Sequence, residues 1–189
     1  MKLDFQHCTD AVDYVLMSEE EIAATCDRIA GEIIRDYTGS NRKLVLICIM
    51  KGSVMFTSEL MKHIDLPLEF ECMRVSSYHS GTSSTGNIII RLDLDRRDLS
   101  ECDVLIVEDI IDSGRTLLHL TNHLRDRGAG SVRTCTLLDK PSRREVNFTP
   151  DYCGMQIPDK FVIGFGLDYA EIFRNLPFIG VLKPEYYEN

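Results

Sequence analysis

The sequence contains no tryptophan, and its longest apolar run is Leu44–Met50. A membrane-crossing helix needs about 20 such residues, so none is expected. The opening stretch Met1-Lys2-Leu3-Asp4-Phe5-Gln6-His7 has no apolar core, and a secretory signal is not expected either. Bases are scarce: 21 Lys and Arg against 30 Asp and Glu leave a net charge of −9. Neutralising nucleic-acid phosphates or anionic lipids takes a basic face, so neither partner class fits. The seven cysteines are odd in number, scattered, and form no C-x-x-C pair. That excludes the usual zinc spacing and argues against a disulfide framework. Cys48, Cys72 and Cys135 lie in apolar β-like runs, where a thiol behaves as a small hydrophobe. Reduced thiols in a cytoplasmic protein are the expectation. No G-x-x-x-x-G-K-[ST] phosphate loop occurs.

What is present is ordinary for a globular protein: 189 residues, 44% apolar and 27% charged. A chain of this length buries roughly 70% of its unfolded surface, enough for one domain. No internal repeat or linker interrupts it. Ser18-Glu19-Glu20-Glu21 reads as a capping box, and Ile22, Cys26, Ile29, Ala30, Ile33 and Ile34 follow at helical spacing. Leu44–Ile49 reads as a strand covered on both faces. A helix over Ser53–Ile64 and strands over Leu68–Ser76, Ile88–Leu92 and Val104–Val107 follow. Next come a helix over Thr116–Arg127 stopped by Gly128, then strands over Val132–Leu138, Phe161–Phe165 and Phe178–Leu182. Alternating strands and helices with two-sided apolar strands indicate an α/β fold with a mainly parallel sheet. The stretch Ser77–Asn87 has Tyr78 as its one large hydrophobe and reads as a mobile lid-like loop.

The chemistry concentrates in Val104-Leu105-Ile106-Val107-Glu108-Asp109-Ile110-Ile111-Asp112-Ser113-Gly114-Arg115-Thr116-Leu117. A buried strand ends in two adjacent acids, a third acid follows, and a small-residue turn opens a helix. Ligands of open α/β sheets bind at that edge. Backbone N–H groups, two hydroxyls and a helix N-terminus make a phosphate site without a lysine cluster. Glu108 and Asp109 cannot favour phosphate; they suit sugar hydroxyls, Mg²⁺ or a developing cation. A ribose 5-phosphate would satisfy both halves. The competing reading is a solvated loop with Asp112 as a helix cap. Two acids set directly against a buried strand argue against it.

This stretch resembles the phosphoribosyl-diphosphate (PRPP) signature of the type I phosphoribosyltransferases, in the form of the hypoxanthine-guanine members. Met50-Lys51-Gly52-Ser53 resembles their pyrophosphate loop, and Ser77-Tyr78 the start of their flexible loop. Leu137-Leu138-Asp139-Lys140-Pro141 resembles the strand bearing the base-recognition lysine. Ile157–Gly164, Leu167-Asp168-Tyr169 and Arg174 resemble the purine and metal end. Together these motifs run from about Ser18 to Leu182.

The resemblance implies one domain over 1–189, with a core at about 40–150 and a hood from the N-terminal segment and about 151–189. It implies transfer of the 5-phosphoribosyl group from PRPP to N9 of hypoxanthine or guanine, with Mg²⁺. Glu108 and Asp109 would hold the ribose hydroxyls and metal, and Asp112 would act as acid or base at purine N7. Ser113, Gly114, Arg115 and Thr116 would cradle the 5-phosphate. The family more often has lysine or another residue at the position of Arg115, where the contact is mostly backbone. Lys51, Gly52 and Arg174 would bind pyrophosphate, with a cis peptide frequent at the position of Met50–Lys51. Lys140 would meet purine O6, Phe161 would stack on the ring, Val162 would supply backbone contacts, and Asp168 would hold a second Mg²⁺. Ser77 and Tyr78 would begin a loop that closes over the site. A homodimer or homotetramer is implied.

Other signals are weaker. His119 and His123 share a helix face but lack a third ligand motif. Gly164-Phe165-Gly166 lacks the third glycine of a dinucleotide fingerprint. Arg143-Arg144 reads as a solvated turn or subunit contact. A PRPP-binding regulator of the same fold is the alternative; it should carry a basic face and usually alters the catalytic acid, whereas this chain is acidic and has Asp112, and a preference for xanthine stays open.

Overall fold

A computed structural model describes residues 6–78 and 87–187. Strand β2 (Lys43–Met50) is apolar on both faces because both are covered. Leu44 and Leu46 pack with Ile22, Cys26, Ile29, Ile33 and Phe56 of helices α1 (Glu19–Tyr37) and α2 (Val54–His63). Val45, Ile47 and Ile49 pack on the other face with Leu117, Leu120 and Leu124 of α3 (Arg115–Asp126). The capping box forms as read: Glu21 N donates to Ser18 Oγ at 3.2 Å, and Ser18 N to Glu21 Oε2 at 2.8 Å.

The large sheet also contains β3 (Leu68–Tyr78), β4 (Asn87–Leu92), β5 (Cys102–Ile111), β6 (Ser131–Asp139) and β7 (Tyr152–Gln156), ordered β4-β3-β2-β5-β6-β7. All neighbours run parallel except the edge strand β4. The chain leaves β2 toward β3 on one side and β5 toward β6 on the other. The order therefore reverses between β2 and β5, and the crevice at their carboxyl ends is where such sheets bind ligands. A second, antiparallel sheet joins β1 (Val12–Met17), β9 (Ile179–Leu182) and β8 (Val162–Ile163).

Several boundaries differ from the sequence reading. β5 continues through Ile111, so Glu108 and Asp109 lie inside the strand and not beyond its end. The loop expected over 77–87 is shorter at both ends. Backbone pairing carries β3 through Tyr78 and starts β4 at Asn87, with Ser77 opposite Ile88; 79–86 lie outside the described residues. The strand expected over Phe161–Phe165 is limited to Val162–Ile163, because Phe165 takes a left-handed φ of 49°. All seven cysteines are free thiols. Among the described residues no helix is long and apolar enough to cross a membrane.

Candidate active site

The carboxyl ends of β2 and β5 bring most of the expected residues together. After β5 comes the turn Asp112–Gly114, and Gly114, with φ 79°, occupies the N-cap of α3. Asp112 is therefore not the helix cap, and its exposed carboxylate is left to other work. A Cβ on Gly114 would crowd Arg144 Cδ at 3.0 Å and Val146 at 3.1 Å, a second reason for glycine beside its φ. A cleft of about 130 Å³ opens against the turn, lined by Glu108, Asp112, Ser113, Gly114 and Thr116. The helix N-terminus faces it, as phosphate binding requires. The Arg115 side chain turns to Glu145, its Nε 2.5 Å from Oε2, leaving only its backbone for a phosphate.

Glu108 Oε2 is sealed from solvent and has no hydrogen-bond partner among the described residues. Burial, then the neighbouring Asp109 charge, push the Glu108 carboxyl well above the ordinary range. Burial likewise lifts Asp109 to about 6, against the pull of the Ile110 N–H. Two buried carboxylates side by side call for a positive charge. Their hard oxygen donors suit Mg²⁺. Among the described residues no three acidic, His or Cys side chains already form a metal cluster. Mg²⁺ here would therefore take further oxygens from a substrate, as this ion commonly does.

The loop after β2 reaches the same edge. The Met50–Lys51 peptide is cis. A Cβ on Gly52 would overlap the Asp109 carboxylate, and one on Gly166 (φ 100°) would overlap Gly52 O. Gly52 is thus held without room for a side chain, between the Asp109 carboxylate and the backbone of the 164–174 loop. In that loop Arg174 Nη2 pairs with Asp168 Oδ1 at 2.7 Å, and Arg174 Nη1 donates to Gly166 O at 2.7 Å. Glu171 Oε2 lies 2.7 Å from Lys51 Nζ and 3.5 Å from Arg174 Nη2.

Lys140 follows β6 and is 7% exposed, its Nζ 4.0 Å from Asp112 Oδ1. Phe161 is 36% exposed, its ring stacked on Tyr187 at 5.3 Å and edge-on to Tyr169, so it is not core packing. Val162 is buried in the core and stands opposite Val181 in the antiparallel β8–β9 ladder. Ser77 and Tyr78 are fixed only as backbone of β3.

Arg144 corrects the sequence reading. Arg143 is exposed and pairs with Asp159, as a solvated turn would. Arg144 is largely buried: its Nη1 donates to Asp112 O at 3.1 Å, and its Nη2 pairs with the buried Asp139. Glu145 N and Val146 N both donate to Ser113 O, at 3.0 and 3.3 Å, and Lys140 N to Ile111 O at 3.0 Å. Residues 139–146 therefore strap the phosphate turn to the lysine strand. No spacing rule marks such a strap; the only sequence hint is the basic pair beside an acid-rich site. The two histidines resolve differently: His123 Nε2 faces Asp93 at 3.3 Å, while His119 is exposed.

A further cavity of about 470 Å³ opens at the amino edge of the sheet, beside Tyr37, Arg42, Leu66 and Glu69. None of the candidate site residues lines it.

Comparison with known proteins agrees with this geometry. The family model described as phosphoribosyl transferase domain matches residues 16–170. The hypoxanthine-guanine phosphoribosyltransferase of Lactococcus lactis is 51% identical, over 94% of both chains. That of Staphylococcus aureus is 48% identical, over 93% of this chain and 96% of its own. A crystal structure of a Staphylococcus aureus hypoxanthine phosphoribosyltransferase superimposes with a TM-score of 0.91 at 45% identity, covering all of both chains. With its switch-point crevice, its phosphate turn and these relatives, the chain belongs to the phosphoribosyltransferase family, in the hypoxanthine-guanine branch.

Proposed function

We propose that this enzyme transfers the 5-phosphoribosyl group of PRPP to N9 of hypoxanthine or guanine, releasing pyrophosphate. One observation carries the reading: Asp112 and Lys140, 4.0 Å apart, meet at the phosphate turn beside the buried acids of β5. That puts a proton acceptor and a buried ammonium donor where a base would face a ribose phosphate.

The 5-phosphate rests on the backbone of the turn Asp112–Thr116 and the N-terminus of α3. Glu108 and Asp109 take the ribose diol. As pyrophosphate leaves, positive charge grows on the ribose ring, and the two carboxylates stabilise it. Interactions that strengthen with that charge raise rate more than ground-state affinity. Asp112 accepts the N7 proton while N9 bonds to the anomeric carbon. Lys51, Gly52 and Arg174 hold the departing pyrophosphate. Glu108, Asp109 and Asp168 would hold Mg²⁺, which when bound would neutralise phosphate charge and polarise hydroxyl oxygens.

Phe161 offers an exposed ring face for purine stacking, and Val162 its backbone. Lys140 donates to purine O6. Adenine presents an amine there, so donor would face donor, a mismatch of several kcal/mol in such sites. The seven free thiols fit a reducing compartment, and we place the enzyme in the cytoplasm. The exposed Phe70 and Leu92 at the β3–β4 end of the sheet suit self-association into a homo-oligomer.

The test is a spectrophotometric assay of hypoxanthine, guanine, xanthine and adenine with PRPP and Mg²⁺. Turnover of hypoxanthine or guanine with adenine inert supports the reading. Inactivity with every base refutes it.

A further inference from the structure

The Glu171 carboxylate occupies a place that the proposed chemistry assigns to another anion. A single oxygen, Oε2, lies 2.7 Å from Lys51 Nζ and 3.5 Å from Arg174 Nη2, so one atom bridges the two cations of the pyrophosphate subsite. The side chain is 66% exposed, and Lys51 is 44% exposed. The pair therefore stands at the mouth of the crevice, open to exchange with solvent anions.

The turn does not need that side chain to hold its shape. The Glu171 backbone N–H donates to Asp168 Oδ2 at 2.9 Å, and Arg174 reaches Asp168 and Gly166 O directly. The backbone at Ala170 and Glu171 is left-handed, with φ 51° and 69°. Two successive non-glycine residues in that region are uncommon. Here they aim an acid back at Lys51 across the gap between loops. The approach is tight, because Gly166 already touches Gly52 O.

Taking Lys51 and Arg174 as the pyrophosphate cations, as proposed above, we infer that Glu171 is a positioning residue serving as a resident counter-anion of that subsite. Its carboxylate holds Lys51 and Arg174 while the subsite is empty, is displaced by the pyrophosphate moiety of incoming PRPP, and returns as pyrophosphate departs. Each binding event must first break the internal pair. The enzyme thereby holds pyrophosphate less tightly than its two cations alone would, and product leaves sooner. An exposed ion pair is worth up to about a fivefold change in an equilibrium constant. One carboxylate on two cations sets the expected scale at roughly three- to tenfold.

The experiment uses inorganic pyrophosphate as product inhibitor against PRPP, at fixed free Mg²⁺, with the wild type and with Glu171→Gln, Glu171→Ala and Lys51→Ala. Both Glu171 variants are expected to lower the pyrophosphate inhibition constant about three- to tenfold and to lower KM for PRPP in the same direction. KM for hypoxanthine at saturating PRPP should stay within twofold. The gain should shrink as salt is raised, since the lost pair is itself screened. Lys51→Ala should weaken pyrophosphate binding. If Lys51→Ala weakens it while the Glu171 variants leave it unchanged, or weaken it too, the counter-anion role is wrong and the subsite stands. If Lys51→Ala has no effect, the subsite assignment fails, and this inference with it.

Discussion

Replacing Arg144 with alanine tests whether the strap over the phosphate turn is structural and catalytic at once. The Arg144 guanidinium is largely buried, pairs with an Asp139 that is 4% exposed, and donates to the backbone carbonyl of Asp112 at 3.1 Å. Removing one partner of a buried ion pair costs about 3–5 kcal/mol, because the other charge is left unpaired. Partial water access at Arg144 places this case at the low end, about 3 kcal/mol. For a chain of this size each kcal/mol moves the unfolding midpoint by roughly 2–4 °C. Arg144→Ala should therefore lower Tm by about 6–12 °C in circular-dichroism melts without substrates. The double variant Arg144→Met with Asp139→Leu removes both charges at similar volume and should recover most of that loss. It should not recover activity, because the Asp112 carbonyl still lacks its donor and the turn keeps only its backbone ties to the lysine strand. Reduced kcat in the restabilised double variant separates positioning from folding. A Tm within 2 °C of wild type for Arg144→Ala would show a solvated arginine and refute the strap.

Two further outcomes follow from the same geometry. Glu108→Gln removes a buried charge whose folded-state pKa is raised, so folding favours its protonated form. The stability that Glu108 contributes is present below the ordinary carboxylate range and is lost as pH rises toward its folded pKa. In metal-free buffer the variant should therefore gain on the wild type in denaturant melts as pH rises from 4 toward neutrality, while losing activity; a constant difference across that range contradicts the burial argument. Lys140→Gln keeps a donor but removes the charge, and should cut kcat/KM for hypoxanthine about 10- to 100-fold at saturating PRPP, the scale of a lost charged hydrogen bond. An unchanged value in initial-rate assays would remove Lys140 from the base site.

The parts legible in the sequence were those written locally. The capping box at Ser18, the two-sided β2 and the Gly128 stop each depend on neighbours within a few residues, and all are present. The acid-rich end of β5 was legible because acids rarely stand against a buried strand. Strand ends were not: pairing carried β3 two residues and β5 four residues past the ends read from the sequence, because ladder hydrogen bonds continue where side chains turn polar. β1 and β7 went unread because β1 is mostly exposed and β7 contains Gly154. A Cβ on Gly154 would collide with Leu137 O, a contact 17 residues away in sequence that no local pattern encodes. Arg144 and Glu171 were missed for the same reason. Each acts on a partner at least 30 residues distant, Arg144 on Asp112 and Glu171 on Lys51.

The central claim is that the turn after β5 performs the proton transfer while its backbone holds the phosphate. Asp112→Asn separates the two, because it leaves the backbone and its N–H groups in place. Single-turnover rates with hypoxanthine should fall about 100-fold or more, the scale of a lost general base. PRPP affinity measured by calorimetry should stay within threefold of wild type. An unchanged rate would contradict the account, and so would loss of PRPP binding.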